Sequence, residues 1–211
     1  MTDSGTVFMV DDDPHVLRAL TRLLRAEGFV VRPYSSPRQF LAEHDRAVPG
    51  CVVLDMVMPE LTGLDLQQAL TTPTWRRPIV FLSGQGDVPS SVKAMKAGAV
   101  DFLTKPVNGK DLLAAVRRAN ALDLEARRAW GEKQSILQKL AALTPREHEV
   151  LRYVVAGRLN KQIAAELGTV EKTIKVHRAR VMDKMSVRSV AELVRLTERA
   201  GQGADGIPPK D

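Results

Sequence analysis

The 211-residue chain has a single cysteine, Cys51. One thiol excludes an intrachain disulfide and a cysteine-rich zinc site, and it fits a reducing compartment. Lying in an apolar run, it reads as a buried, inert thiol. Histidine is also scarce: His15, His44, His148 and His177 show no ligand spacing, and His177 reads as core. No run of 18 apolar residues occurs, so no transmembrane helix is expected. Met1 to Gly5 lack the apolar stretch of a secretory signal. These absences lead us to expect a cytoplasmic protein with no membrane partner. The second half also lacks acidic balance. Residues 1–120 carry 14 Lys+Arg and 13 Asp+Glu, whereas residues 121–211 carry 17 and 12, so nearly all of the net charge of +6 lies there. A basic C-terminal half points to nucleic acid or another acidic surface.

What is present in the first half is a repeated alternation. Apolar runs at 6–10, 29–31, 51–54, 78–82 and 100–103 read as short strands. Helical spacing follows each of them. Asp13 is an N-cap with Pro14 at N1, and Gly28 ends that helix. Ser36-Pro37 opens a second helix, Gly63-Leu64 a third, Val88 a fourth that stops at Gly98, and Asn108 caps a fifth starting near Lys110. Five βα units in about 120 residues mean a doubly wound parallel sheet.

Cys51-Val52-Val53-Leu54 is the central run, buried on both faces, and it ends on Asp55. Asp11, Asp12, Asp55, Ser83 and Lys105 all fall at carboxyl ends of strands, where open α/β sheets bind ligands. Three neighbouring carboxylates remain ionised only with a cation. Oxygen donors without His or Cys favour Mg²⁺. Lys105 adds a fixed positive charge and Ser83 a hydroxyl donor. A phosphoryl group needs this set, with Asp55 as the nucleophile that forms an acyl phosphate.

Val10-Asp11-Asp12, Asp55-Met56-Val57-Met58-Pro59, Phe81-Leu82-Ser83-Gly84 and Lys105-Pro106 resemble the receiver domain of two-component response regulators. Gly86-Asp87-Val88-Pro89 with Ala94-Met95-Lys96-Ala97-Gly98-Ala99 resembles its FixJ-type branch. The resemblance implies that a sensor histidine kinase phosphorylates Asp55. It implies that Asp12, Asp55 and the backbone carbonyl of Val57 bind Mg²⁺, with Asp11 acting through water. Ser83 and Phe102 would be the switch pair, and the Lys105–Pro106 bond would be cis.

In the second half, Thr144-Pro145-Arg146-Glu147 is a capping box that opens a helix. Asn160 caps a second helix, Gly168 breaks it, and Glu171 starts a third whose inner face is Ile174, His177, Val181 and Met185. Residues 190–196 supply a fourth. Two short helices around Gly168-Thr169-Val170 read as helix-turn-helix. Residues 172–188 hold six Lys and Arg against Asp183 alone. Leu143-Thr144-Pro145-Arg146-Glu147, Asn160-Lys161-Gln162-Ile163-Ala164 and Thr173-Ile174-Lys175-Val176-His177 resemble the LuxR-type DNA-binding domain. By that resemblance the third helix enters the major groove. Lys175, Val176 and Ala179 then face bases, and Lys172, Arg178, Arg180 and Lys184 hold phosphates.

The expected organisation is a receiver over 1–120, a helical linker over 121–141, a DNA-binding domain over 142–200 and a disordered tail over 201–211. The linker stripe Leu112, Leu113, Val116, Ala119, Leu122, Ala126 and Trp130 fits a semi-rigid spacer or half of a coiled coil, with Trp130 packed against a domain. The expected function is transcription control: phosphorylation, homodimerisation and binding of double-stranded promoter DNA, with RNA polymerase as a further partner. No enzyme activity is expected beyond taking phosphate from a donor and losing it again. Two rivals stand beside this. One is a receiver serving only as a permanent dimerisation module. The other is an aspartate-nucleophile phosphohydrolase, which would need an acid where Val57 stands.

Overall fold

The computed structural model describes residues 5–71, 76–84 and 88–201. The chain divides into two compact units, Met1–Arg127 and Arg128–Asp211.

In the first unit, strands β1 (Thr6–Val10), β2 (Val30–Tyr34), β3 (Gly50–Asp55), β4 (Ile79–Ser83) and β5 (Asp101–Thr104) form one sheet in the order β2-β1-β3-β4-β5. Every pairing is parallel. Helices α1 (Pro14–Ala26), α2 (Pro37–Glu43), α3 (Gly63–Leu70), α4 (Val88–Lys96) and the first part of α5 (Gly109–Ala141) alternate with the strands. The period of two along each strand divides the core. Val7, Met9, Val53, Val80 and Leu82 meet Leu20 and Leu24 of α1 and Leu112, Val116 and Ala119 of α5. Phe8, Val10, Val52, Leu54 and Phe81 meet Phe40 of α2, Leu66 and Leu70 of α3 and Ala94 of α4. A slip of one residue would exchange the two sets, so the register is strongly fixed. The strand order reverses between β1 and β3. Their following helices leave to opposite faces and open a crevice at the carboxyl ends.

Local signals place these helices. The Asp13 side chain accepts the His15 N–H at the start of α1, and Ser36 does the same for Gln39 in α2. Thr62 and Asp65 form a capping box on α3. The Asn108 side chain accepts the Lys110 N–H at α5. Gly28 and Gly98 take positive φ where α1 and α4 stop. Cys51 is fully buried and its thiol is pushed up to about 12 by burial, which makes it unreactive.

The second unit gathers the end of α5 with α6 (Pro145–Val155), α7 (Asn160–Glu166), α8 (Glu171–Met185) and α9 (Val190–Arg199). Its core is built on Ile136, Leu140, Val150, Leu151, Val154, Ile163, Ile174, Val181, Met185 and Leu193. The Thr144–Glu147 capping box is present. Asn160, expected as a cap, is instead the first helical residue of α7. Leu159 holds the cap position, and the Gln162 side chain accepts its N–H. The Asn160 carboxamide is engaged elsewhere, by Arg178.

α5 is one helix of 33 residues, uninterrupted at Gly131. Its expected stripe divides. Leu112, Val116 and Ala119 are buried, whereas Leu122 and Trp130 are 44% and 52% exposed. Trp130 is therefore not packed against a domain. It falls between the helix positions that serve the first core and Ile136 and Leu140, which serve the second. Among the described residues no helix is long and apolar enough to cross a membrane. Gly86 and Asp87, and residues 202–211 of the expected tail, lie outside the described residues.

Candidate functional site

β1 runs directly into Asp11, β3 ends on Asp55, and Lys105 follows β5. The β1–β3 register sets Val10 against Leu54, which brings Asp11 level with Asp55. The Lys105 Nζ lies 2.7 Å from Asp11 Oδ2 and 2.8 Å from Asp55 Oδ1. Both carboxylates are buried. Backbone donors complete them: the Asp13 N–H reaches Asp11 Oδ1 at 2.9 Å, and the Val57 N–H reaches Asp55 Oδ2 at 3.2 Å. Asp12 is exposed and makes no ion pair among the described residues, yet oxygens of Asp11, Asp12 and Asp55 lie within 4.8 Å of one another.

One ammonium serves two buried carboxylates, with a third beside them. Burial pushes the Asp55 carboxyl above its ordinary value; the Lys105 hydrogen bond opposes this and the Asp11 charge adds to it. Burial pulls Lys105 down, but its hydrogen bonds to Asp11 and Asp55, and their charges, more than offset this and hold it above the ordinary lysine value. The cluster has room for more positive charge. Its donors are all oxygen, which suits a small hard dication. The residues present therefore fit Mg²⁺.

Ser83 ends β4, is buried, and its carbonyl accepts the Lys105 N–H at 2.7 Å. Phe102 is half-buried on β5. Its register partner is Phe81, with ring centroids 6.4 Å apart, while Ser83 pairs with Thr104. The two switch candidates thus sit on neighbouring strands, two positions apart. Val57 stands at the rim, 75% exposed. The Lys105–Pro106 bond is cis.

On α8, Lys172, Lys175, Val176, Ala179 and Arg180 are exposed. Lys175 pairs with Glu171 of its own helix at 3.1 Å, a contact worth little in water. Arg178 and Lys184 differ. The Arg178 Nη1 donates to Asn160 Oδ1 at 3.0 Å. The Lys184 Nζ lies 2.6 Å from Glu147 Oε2 and donates to the Ala142 carbonyl at 3.1 Å. Glu147 is buried, and the Lys184 hydrogen bond with the Thr144 N–H holds its carboxyl at about 2. The Arg178 and Lys184 donors fasten α8 to α7 and α6. His177 is half-buried, and its Nδ1 is buried without a hydrogen-bond partner.

The family described as the response regulator receiver domain matches residues 7–117, and that of bacterial regulatory proteins of the luxR family matches residues 141–197. The chain belongs to the response regulators. This response regulator is 45% identical over 200 residues to the response regulator protein TodT of Pseudomonas putida, covering 94% of this chain and 88% of TodT. It is 40% identical over 201 residues to the transcriptional regulatory protein FixJ of Bradyrhizobium diazoefficiens, covering 95% and 98%. Among solved structures, the response regulator StyR superimposes with a TM-score of 0.85 at 45% identity, over 92% of this chain and 98% of that one. Full-length FixJ from B. japonicum gives 0.57 at 39% identity, over 95% and 98%. The response regulator thus joins a receiver to a LuxR-type helix-turn-helix DNA-binding domain and acts in transcription regulation.

Sequence reasoning missed what two further residues of this response regulator do. Gly63 is one: a Cβ there would lie 2.7 Å from the Asp55 carbonyl and 2.8 Å from the Phe81 ring. Only glycine lets α3 start against the end of β3. A glycine at the first position of a helix, where it weakens the helix, was the available signal. Asp123 is another. Its Oδ2 accepts the Gly50 N–H at 2.8 Å and pairs with Arg127, which also donates to the carbonyls of Arg46, Ala47 and Val48. Nothing in the spacing of an exposed-looking helix marks that clamp.

Proposed function

We propose that a cognate sensor histidine kinase phosphorylates this response regulator on Asp55, and that it then dimerises and binds promoter DNA in the cytoplasm, working with RNA polymerase. The observation that carries this reading is the Asp55 carboxylate at the end of β3, 2.8 Å from Lys105 and clustered with Asp11 and Asp12. Asp12, Asp55 and the Val57 carbonyl would hold Mg²⁺, with Asp11 acting through water. Bound there, the ion would offset charge on the transferring phosphoryl oxygens. An Asp55 oxygen attacks the phosphorus. The new O–P bond makes an acyl phosphate, the P–N bond to the donor histidine breaks, and the ring nitrogen keeps the electron pair. Lys105 passes from the carboxylate to a phosphoryl oxygen. The Ser83 hydroxyl follows the phosphoryl group, and the Phe102 ring fills the space that Ser83 leaves.

That movement alters the face of α4, which carries Lys93 and Lys96, and of β5, which carries Asp101, itself paired with Arg118 at 2.6 Å. Charges of both signs suit a two-fold contact. In the DNA-binding domain, Lys175, Val176 and Ala179 face bases, and Lys172, Arg178, Arg180 and Lys184 hold phosphates. We assign residues 1–120 to the receiver, 142–200 to the DNA-binding domain and 121–141 to the connection through α5.

The test is labelling with a small phosphodonor. Asp55→Asn should take up no acid-stable, base-labile phosphate, and labelling of the natural chain should require Mg²⁺. Undiminished labelling of Asp55→Asn puts the phosphate elsewhere and removes this reading.

A further inference from the structure

The luxR-family match begins at residue 141 and gives no role to the α5 residues before it. Within the second unit those residues are nevertheless bound to α8 and its neighbours. Ile136 and Leu140 are 5% and 2% exposed, in the same core as Ile174, Val181 and Met185 of α8. Glu132 pairs with Arg199 of α9. Lys139 is half-buried and reaches across to α8, where its Nζ donates to the Met185 carbonyl at 3.4 Å. The return contact comes from α8. The Lys184 Nζ donates to the Ala142 carbonyl, just past the end of α5, at 3.1 Å, and lies 2.6 Å from Glu147 Oε2. The C-terminal ends of α5 and α8 therefore meet, each bridged by a lysine of the other.

Two helix C-termini side by side present carbonyls of like partial charge. An ammonium placed between them offsets that repulsion, and more so where water is partly excluded. α8 needs such support because it ends on Ser186 at φ 57°, in the left-handed region where glycine is the usual cap. We propose that Lys139 is a positioning residue for DNA recognition. Through the Met185 carbonyl it holds the last turn of α8, and so places Lys184 for the duplex, while Lys139 itself touches no DNA. The last part of the connection through α5 is thereby also part of the DNA-reading domain. The inference rests on the reading in which α8 enters the groove, and it is independent of phosphorylation at Asp55.

The test uses the full chain and the DNA duplex that the natural chain selects from a random-sequence pool. Lys139→Met keeps the apolar stem and removes the charge. It should weaken binding of that duplex on the order of fivefold. It should leave the slope of affinity against salt unchanged, because no phosphate contact is lost. In the free protein it should move the Ser186 amide signal, since that amide shares its peptide group with the Met185 carbonyl. Lys139→Arg restores a cationic donor and should return most of the affinity. Natural affinity in Lys139→Met, or a loss that Lys139→Arg does not repair, would overturn the inference. A shallower salt slope would make Lys139 a phosphate contact itself and overturn it equally. A Ser186 signal unmoved by Lys139→Met defeats this inference alone, whereas a natural chain that selects no duplex defeats the DNA-binding reading and this inference with it.

Discussion

In the acidic pocket, charge is drawn from the ends of three strands into one buried place. On α8, charge is spread along a single element and mostly faces outward. Asp11 and Asp55 are buried and share the Lys105 ammonium, an arrangement that costs stability unless something compensates. Exposed lysines and arginines cost almost nothing. Residue types alone therefore announce a function for the pocket, while on α8 they leave open which cations are for DNA and which for the fold. Arg178 and Lys184, bound to Asn160 and Glu147, also serve the fold.

The sharpest way to break this comparison is to remove the pocket's exposed carboxylate. Asp12→Ala should lower Mg²⁺ affinity by more than the roughly 10–100-fold typical of losing an outer-shell partner, read by titration calorimetry. It should leave the thermal stability of the first unit nearly unchanged, because Asp12 makes no ion pair. Unchanged Mg²⁺ affinity would mean the cluster is not a metal site.

On α8 the same logic divides the cations. Lys175→Ala should cost about 1–3 kcal/mol in operator binding and relax specificity, and Arg180→Ala should weaken all sequences and flatten the salt dependence. Arg178→Ala and Lys184→Ala should in addition lower the stability of the second unit by about 1–3 kcal/mol, read by denaturant titration. If Lys184→Ala leaves stability alone, its bond to Glu147 does not support the fold.

The two regions also oppose each other in pH dependence. Glu147 is held at about 2, below its ordinary 4.5. It contributes stability above pH 4.5 that is lost as pH falls from there toward about 2. Asp55 is raised, so its ionisation detracts from stability as pH rises through its folded-state value. Glu147→Gln should remove stability at neutral pH and flatten acid unfolding of the second unit, as followed by resolved NMR signals. Asp55→Asn should not destabilise the first unit at neutral pH. The smallest effect belongs to Trp130→Ala, within about 0.5 kcal/mol, because that residue is already half exposed.

Much of this was legible in the sequence, for reasons that differ by element. The strands β1, β3 and β4 are covered on both faces and so read as unbroken apolar runs. The caps Asp13, Ser36 and Thr144 follow local chemistry. Asp11, Asp55 and Lys105 stood out because each directly follows or ends a strand. What was missed depends on tertiary approach. Gly63 matters through a backbone from another element, Asp123 through the loop before β3, and Arg178 through the first residue of α7. Trp130 misled because helical spacing does not say where along a 33-residue helix the partner changes.

The account's central claim is that phosphate on the receiver controls the assembly that binds DNA. Sedimentation velocity on the full chain, with and without a phosphodonor and Mg²⁺, tests it most directly. A monomer that becomes a dimer with the donor, a dimer absent in Asp55→Asn and weakened in Ser83→Ala, is the predicted result. A dimer of equal strength in all of these would contradict it and leave the exposed Leu122 and Trp130 face of α5 as a permanent contact between copies.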